Sequence, residues 1–214
     1  MKKIISPVFR CPKTEGITPI YNQDSKILII GSITSTDGMK KGFYYSSNKN
    51  QLWELVDYCL NLDKNDENSF SSLKRKLRLN YEKFNSNLIQ KDEFELNKRA
   101  IKQEFVNKIL AHNLAICDVF ESCYFNNNGS LDNDIILNND DYPFKMNYDI
   151  LNTILKNSSI KNVIVNSRFV EKQFKKLNIE GNYKISYVIS PSPRKGSIDK
   201  KIDQWKSVFF NIES

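Results

Sequence analysis

"KILIIGSI", residues 26–33, is the stretch that decides the fold of this chain. It is a short apolar run, rich in isoleucine and ending at Gly31. An apolar run of this length is typical of a strand that is buried on both faces, and the glycine indicates a tight turn. The run therefore predicts a central strand of a sheet, followed by a turn at its carboxyl end.

Further strands alternate with helices along the rest of the chain. Apolar runs of strand length occur within 105–120 ("FVNKILAHNLAICDVF"), 160–167 ("IKNVIVNS") and 184–190 ("KISYVIS"). Residues with helical spacing of apolar side chains occupy 51–62, 146–158, 168–178 and 197–212. The alternation predicts an α/β fold, a three-layer α/β/α sandwich around a mainly parallel four-stranded sheet.

Composition limits the class of protein. The 214 residues suit one domain, 1–214, in which a polar segment at about 63–105 predicts one or two mainly solvated helices. The formal charge of +7 favours an anionic partner, most commonly nucleic acid, although a Lys/Asn-rich chain can be basic without one. No apolar run approaches membrane-spanning length, and the N-terminus lacks the apolar core of a signal peptide, so a cytoplasmic protein is expected.

The four cysteines show no metal-binding pattern. Cys11, Cys59, Cys117 and Cys123 contain no C-x-x-C pair, which structural zinc sites usually require. They are therefore expected to be free thiols, and no metal is predicted.

Two segments raise the question of a ligand. Residues 31–42, "GSITSTDGMKKG", hold three of the seven glycines, which indicates turns or a close approach to the backbone. Residues 42–53, "GFYYSSNKNQLW", place three aromatic residues before a polar loop, which suits either stacking on a flat ring or core packing. Because ligands bind at the carboxyl ends of parallel strands, the loops after Ile30, Val119, Val165 and Ile189 are expected to meet at one rim.

Taken in order, several segments resemble the uracil-DNA glycosylase superfamily, and most of all its hypoxanthine- or deoxyinosine-DNA glycosylase branch. They are "PIYNQDSKILIIGSI", "GFYYSSNKNQLW", "HNLAICDVFESC", "GSLDNDI", Asn166 after a strand, and "VISPSP". Their order and approximate spacing extend over residues 17–210, apart from the expanded segment at about 63–105. The chain departs from the pattern at Ile33 and Thr34, where many relatives have a catalytic Asn or Asp and then a proline.

The resemblance implies a monofunctional DNA glycosylase that needs neither metal nor cofactor. Such an enzyme flips a deaminated or modified base (hypoxanthine, uracil or xanthine) and hydrolyses its N-glycosidic bond, which leaves an abasic site. Asn50 matches the catalytic asparagine of the branch and would orient water, since an amide is not a general base near neutral pH. Asp37 is the nearest carboxylate and a second catalytic candidate. The alternative role for Asn50 is to cap the helix that follows it.

The same resemblance implies which residues hold the base and the DNA. Tyr45 aligns with the stacking aromatic residue of the family, with Phe43 as a substitute. The base-binding candidates are Gly31, Ser32, Ile33, Tyr45, Phe43 and Asn166. The DNA-binding candidates are Ser190, Pro191, Ser192, Arg194 and Lys195, because hydroxyl and basic groups on a stiff loop suit phosphate contacts.

Three alternatives stay open at this stage. A glycosylase specialised for modified bases in foreign (phage) DNA would fit the departures from the family pattern. A non-catalytic DNA-binding member of the superfamily would fit Ile33 and Thr34. A nucleotide-binding enzyme is disfavoured, because no G-x-G-x-x-G or Walker lysine follows the first strand. A monomer acting on double- or single-stranded DNA is expected.

Overall fold

A computed structural model describes residues 17–125, 135–136 and 144–210 of the chain. The helices are α1 (Thr36–Lys41), α2 (Leu52–Cys59), α3 (Phe70–Asn85), α4 (Lys91–Ala111), α5 (Tyr148–Asn157), α6 (Arg168–Lys176) and α7 (Asp199–Phe210). The strands are β1 (Ile27–Gly31), β2 (Leu114–Asp118), β3 (Phe120–Ser122), β4 (Tyr124–Phe125), β5 (Ile135–Ile136), β6 (Lys145–Met146), β7 (Asn162–Val165) and β8 (Lys184–Tyr187). Cys11 and most of "GSLDNDI" lie outside the described residues.

A parallel sheet of four strands, in the order β2-β1-β7-β8, forms the centre of the fold. Strand β1 pairs with β2 on one side and β7 on the other, so "KILIIGSI" contributes an interior strand as predicted. The register places Gly31 beside Asp118 and Ile30 beside Val165. The carboxyl ends of these three strands therefore meet at one edge of the sheet.

Helices cover both faces of this sheet, which confirms the predicted α/β/α arrangement. Because side chains alternate along a strand, Ile27 and Ile29 pack with α2, α3, α4 and α7, whereas Leu28 and Ile30 pack with α5 and α6. Burial on both faces explains why β1 is apolar along its whole length rather than alternating.

The polar segment at about 63–105 forms α3 and the first part of α4, which pack against each other. Helix α3 also packs against α2. The two helices contact the core through a few apolar side chains, such as those of Leu73 and Phe105. Their buried residues are few, as expected for mainly solvated helices.

Part of the predicted turn at 31–42 is wrong, because residues 36–41 form helix α1. The Ser35 hydroxyl accepts a hydrogen bond from the Gly38 N–H at 3.2 Å and caps the start of the helix. Gly42 ends it in the left-handed conformation, with φ 63°. Of the three glycines in this segment, only Gly42 has a positive φ, so the backbone conformation does not explain Gly31 and Gly38.

Cys59, Cys117 and Cys123 are buried free thiols, as predicted. The residues that the structure describes contain no cluster of His, Cys, Asp and Glu with the geometry of a metal site. None of the helices described is both long and apolar enough to span a membrane.

A buried carboxylate joins α2 to α3. Both oxygens of Asp57 accept hydrogen bonds from the helix start, one from the Phe70 N–H and one from the Ser71 N–H, each at 2.8 Å. Burial raises the pKa of Asp57, and these N–H donors oppose that rise. A negative charge at a helix N-terminus also interacts favourably with the helix dipole. Asp57 thus fixes where α3 begins relative to the core.

We expect Asp57→Ala to lower the free energy of unfolding by about 2 kcal/mol, because two N–H donors at the start of α3 lose their acceptor. Urea unfolding monitored by circular dichroism measures the change. Asp92→Ala is the matched control, since Asp92 is exposed in the first turn of α4 and should cost about 0.5 kcal/mol or less. Equal losses in the two variants would contradict this role of Asp57.

Candidate active site

Gly31, at the carboxyl end of β1, forms the floor of the candidate site. A Cβ atom at this position would overlap the Tyr45 hydroxyl and lie 2.7 Å from Asp118 Oδ1. The Asn166 amide, which directly follows β7, donates a hydrogen bond from Nδ2 to Tyr45 Oη at 2.6 Å. The absence of a side chain at position 31 therefore lets groups from three parts of the chain meet over one strand end.

Tyr45 has an unusual backbone conformation for its residue type. Of the five described non-glycine residues with positive φ, four are asparagines and the fifth is Tyr45, at 52°. Asparagine tolerates the left-handed region, whereas an aromatic residue there is strained by about 1 kcal/mol or more. The loop is held in place because Trp53 Nε1 donates a hydrogen bond to the Tyr44 carbonyl at 3.1 Å. The buried Trp53 side chain therefore anchors the residue next to Tyr45.

Asp118 supplies a buried carboxylate to the floor. The Thr34 hydroxyl donates a hydrogen bond to Asp118 Oδ2 at 2.8 Å, while Oδ1 is the oxygen that approaches Gly31. Burial raises the pKa of Tyr44, and the negative charge of Asp118 adds to that effect. Asp118 is not among the residues predicted from the sequence, because its position opposite Gly31 depends on the register of β1 and β2.

Two backbone hydrogen bonds from residues 119 and 120 fix the turn after Gly31. The Gly31 and Ser32 carbonyls accept hydrogen bonds from the Val119 and Phe120 N–H groups at 2.8 and 3.0 Å. In the described ranges, no group accepts a hydrogen bond from the N–H groups of Ser32 and Ile33. The Ile33 side chain is half-buried against the α5 and α6 side of the core.

The loop at 46–50, which carries Asn50, is anchored by two lysines. Lys41 Nζ donates hydrogen bonds to the Ser46 carbonyl at 3.2 Å and to Asn48 Oδ1 at 2.9 Å. Lys74 Nζ, from α3, donates to the carbonyls of Asn48 and Asn50. The Asn50 side chain accepts a hydrogen bond from the Leu52 N–H at 2.9 Å, so it satisfies the first N–H group of α2 from the position before the N-cap residue Gln51.

The loop "SPSPRKG" (190–196) is tied to the start of α2. The Pro191 carbonyl accepts a hydrogen bond from the Gln51 N–H at 3.0 Å. The fully buried Lys201 side chain donates to Gln51 Oε1 at 2.6 Å and to the Ser192 carbonyl at 2.7 Å. The start of the loop is held by Trp205 Nε1, which donates to the Ile189 carbonyl at 2.9 Å. Asn50 and the proline/serine loop therefore lie beside each other at the same edge of the molecule.

The structure brings some of the predicted site residues together and separates others. Gly31, Tyr45 and Asn166 form one cluster, and Ser190, Pro191 and Ser192 adjoin the start of α2. Arg194 and Lys195 are exposed in a 3-10 turn of that loop.

Two further predicted residues, Phe43 and Asp37, belong neither to this cluster nor to the proline/serine loop. Phe43 is a core residue, only 4% exposed, and its ring centroid lies 4.5 Å from that of Phe105. The ring is therefore packed under the loop, where a base cannot reach it. Asp37 lies on the surface of α1 and forms an ion pair with Lys41 at 3.1 Å.

The fold is similar to that of a known protein. A solution NMR structure from Methanosarcina acetivorans, described as "a putative Uracil DNA glycosylase", superimposes with a TM-score of 0.57. The match covers 93% of this chain and 98% of the other, at 18% sequence identity. At this identity the likeness establishes a shared fold. No protein-family model and no curated protein matches the chain.

The floor of the site predicts a specific coupling between two substitutions. We expect Gly31→Ala to lower the free energy of unfolding by about 1–3 kcal/mol, because the new methyl group displaces the Tyr45 hydroxyl. Tyr45→Phe alone should cost about 1 kcal/mol through the lost hydrogen bond from Asn166. In the double variant the overlap with the Tyr45 hydroxyl is removed, while the close approach to Asp118 Oδ1 remains. The combined loss should therefore fall short of additivity by about 0.5 kcal/mol or more without disappearing. Additive losses in urea unfolding would contradict the close approach.

The hydrogen bonds of Lys201 lead to a prediction for the mobility of the proline/serine loop. In Lys201→Met the Ser192 carbonyl and Gln51 lose their shared donor, so the loop should open more often. We expect faster tryptic cleavage after Arg194 or Lys195, followed by mass spectrometry. Lys200→Met is the control, because Lys200 is the exposed neighbour. Unchanged cleavage in Lys201→Met relative to this control would show that Lys201 does not restrain the loop.

Proposed function

We propose that this protein is a DNA glycosylase that hydrolyses the N-glycosidic bond of a flipped base. The observation that carries the proposal is the convergence of Tyr45, Asn166 and Asp118 over Gly31 at the carboxyl end of the central strand. An aromatic ring, an amide and a carboxylate at one strand end match what this chemistry needs. The shared fold with the Methanosarcina protein and the charge of +7 support the same reading.

Base recognition falls to Tyr45 and Asn166. A base turned out of the duplex is held by stacking on an aromatic face and by hydrogen bonds to its edge. The hydrogen bond from Asn166 to the Tyr45 hydroxyl fixes both groups before a base arrives, which lowers the cost of ordering them on binding. The base would leave with negative charge, and the N–H groups of Ser32 and Ile33 are donors at the same strand end.

Asp118 is our candidate for the carboxylate that assists cleavage of the bond. The sugar becomes cationic as the base departs, so a negative charge near it stabilises the transition state. Many relatives in the resembled superfamily carry an Asn or Asp two residues after the glycine, where this chain has Ile33. Asp118 reaches the same end of β1 from the neighbouring strand, with one oxygen held by Thr34 and the other facing Gly31.

Asn50 has a second part in the proposal. Its side-chain oxygen accepts a hydrogen bond from the first N–H group of α2, and this bond fixes the amide in one orientation. A fixed amide beside the proline/serine loop would orient water or the sugar-phosphate backbone. Ser190, Ser192, Arg194 and Lys195 would contact phosphates on the rim, with hypoxanthine, uracil or xanthine as the base.

The test is an excision assay on duplexes that each contain one uracil, hypoxanthine or xanthine, followed by alkaline cleavage of abasic sites. We expect cleavage with at least one duplex and a loss of about 10²–10⁴-fold in rate for Asp118→Asn, which keeps the shape of the side chain. Asn50→Ala should also slow the reaction. Asp92→Asn is the control for removing a carboxylate outside the site and should leave the rate unchanged.

Two outcomes would overturn parts of the proposal. Excision that is unaffected by Asp118→Asn would remove Asp118 from the mechanism. DNA binding without excision of any of these bases, or of bases in modified phage DNA, would favour a non-catalytic member of the fold. The apolar Ile33 in the first turn is the feature that favours this second function.

A further inference from the structure

A cationic cleft of about 210 Å³ lies between the loop that carries Asn50 and helix α3. We name it the α3 cleft; its lining includes Lys49, Asn50, Glu54, Lys74, Arg75 and Arg78. We propose that the α3 cleft binds a phosphodiester group of the DNA backbone. The inference rests on the proposed function and adds a second phosphate site to the one expected at the proline/serine loop.

The charges that line the cleft are mostly positive and partly unpaired. Glu54 is the one carboxylate among the lining residues, and it is already paired with Lys64 at 2.7 Å. Arg78 pairs with Glu82 at 3.4 Å, a contact between two exposed side chains that screening by water makes weak. Within residues 17–125, 135–136 and 144–210, Lys49 and Arg75 have no ion pair. The cleft thus presents four cations, and most of this charge lacks a counter-ion within the described chain.

Lys74 shows the electrostatic consequence of this crowding. Its ammonium group is half-buried and directed at the Asn48 and Asn50 carbonyls. Burial, followed by repulsion from Lys41, lowers the pKa of Lys74 to about 8. An anion in the cleft would offset both effects, because it supplies the opposite charge and replaces lost hydration.

Position favours a backbone phosphate over a free anion. The cleft shares Asn50 and Gln51 with the segment to which the proline/serine loop is tied. A DNA strand that contacts this loop and Asn50 would therefore contact a residue that lines the cleft. Bidentate guanidinium groups such as those of Arg75 and Arg78 suit phosphate oxygens.

The cleft also gives the expanded segment at about 63–105 a role in DNA binding. Helix α3 provides Lys74, Arg75 and Arg78, and Asp57 fixes the start of this helix. The segment would thereby extend the DNA-binding surface beyond the rim of the sheet.

The test is the affinity of the full chain for an undamaged labelled duplex, measured by fluorescence anisotropy over a range of salt concentrations. Arg75→Gln and Arg78→Gln should each weaken binding several-fold. If each arginine neutralises one phosphate, each variant should reduce the slope of log K against log salt by about 0.9. Arg99→Gln is the matched control, since Arg99 is exposed on α4 outside the cleft, and it should change the affinity less than twofold.

A variant that should strengthen DNA binding, rather than weaken it, adds a second test. Glu54→Gln removes the only carboxylate lining the cleft and releases Lys64, so it should tighten DNA binding. Competition with inorganic phosphate separates the two sources of the anion, because a site for free phosphate would be saturated at concentrations that leave the DNA bound.

Four results would decide the matter. Arg75→Gln and Arg78→Gln that behave like Arg99→Gln would overturn the inference, as would saturation of the cleft by free phosphate without any effect on DNA. Cleft-dependent binding without excision would overturn the proposed reaction and leave the cleft in place. Excision together with DNA binding that does not depend on Arg75 or Arg78 would overturn only the proposed phosphate site in the α3 cleft.

Discussion

The candidate site depends on a steric constraint at Gly31, since only a residue without a side chain lets the Tyr45 hydroxyl and the Asp118 carboxylate approach the end of β1. β1 is an interior strand, buried on both faces, so its end cannot move to accommodate a larger residue. The positive φ of Tyr45 and the hydrogen bond from Asn166 are arranged around this fixed point. The rigid sheet therefore positions groups that no single loop could hold.

Around this floor, lysines rather than carboxylates organise the loops. Lys41, Lys74 and Lys201 donate to backbone carbonyls or to neutral side-chain oxygens at 46–50, Gln51 and Ser192. An ammonium group has three donors and can join chain segments that share no secondary structure. Lys41 is paired with Asp37, but Lys74 and Lys201 have no ion pair within the described residues. These two lysines leave positive charge beneath the loops, so the groups that order this edge also make it attractive to an anion.

The sequence predicted the sheet well because buried parallel strands are apolar throughout, and "KILIIGSI" and "IKNVIVNS" need no knowledge of their partners. Tyr45 and Asn166 could be named as candidate site residues, because Asn166 directly follows a strand and Tyr45 lies in a segment that resembles a known family. Asp118, which we propose as a site residue, was not predicted, since its position beside Gly31 depends on strand register. The roles of Lys74 and Lys201 could not be predicted from local patterns, because Lys74 donates to a carbonyl 24 residues away and Lys201 joins Ser192 to Gln51, which is 150 residues away. Helix α1 was not predicted because Gly38 lies inside it, and glycine is unfavourable in a helix interior.

The two tryptophans are the chain's only ones, and both use their indole N–H on the loops of this edge. Trp53 and Trp205 are fully buried, one under the Tyr44 carbonyl and the other under that of Ile189. Indole emission shifts in wavelength with the polarity and hydrogen bonding of its surroundings. The protein therefore carries one intrinsic fluorophore beneath each of the two loops, so that a movement of either loop would be visible optically without any added label.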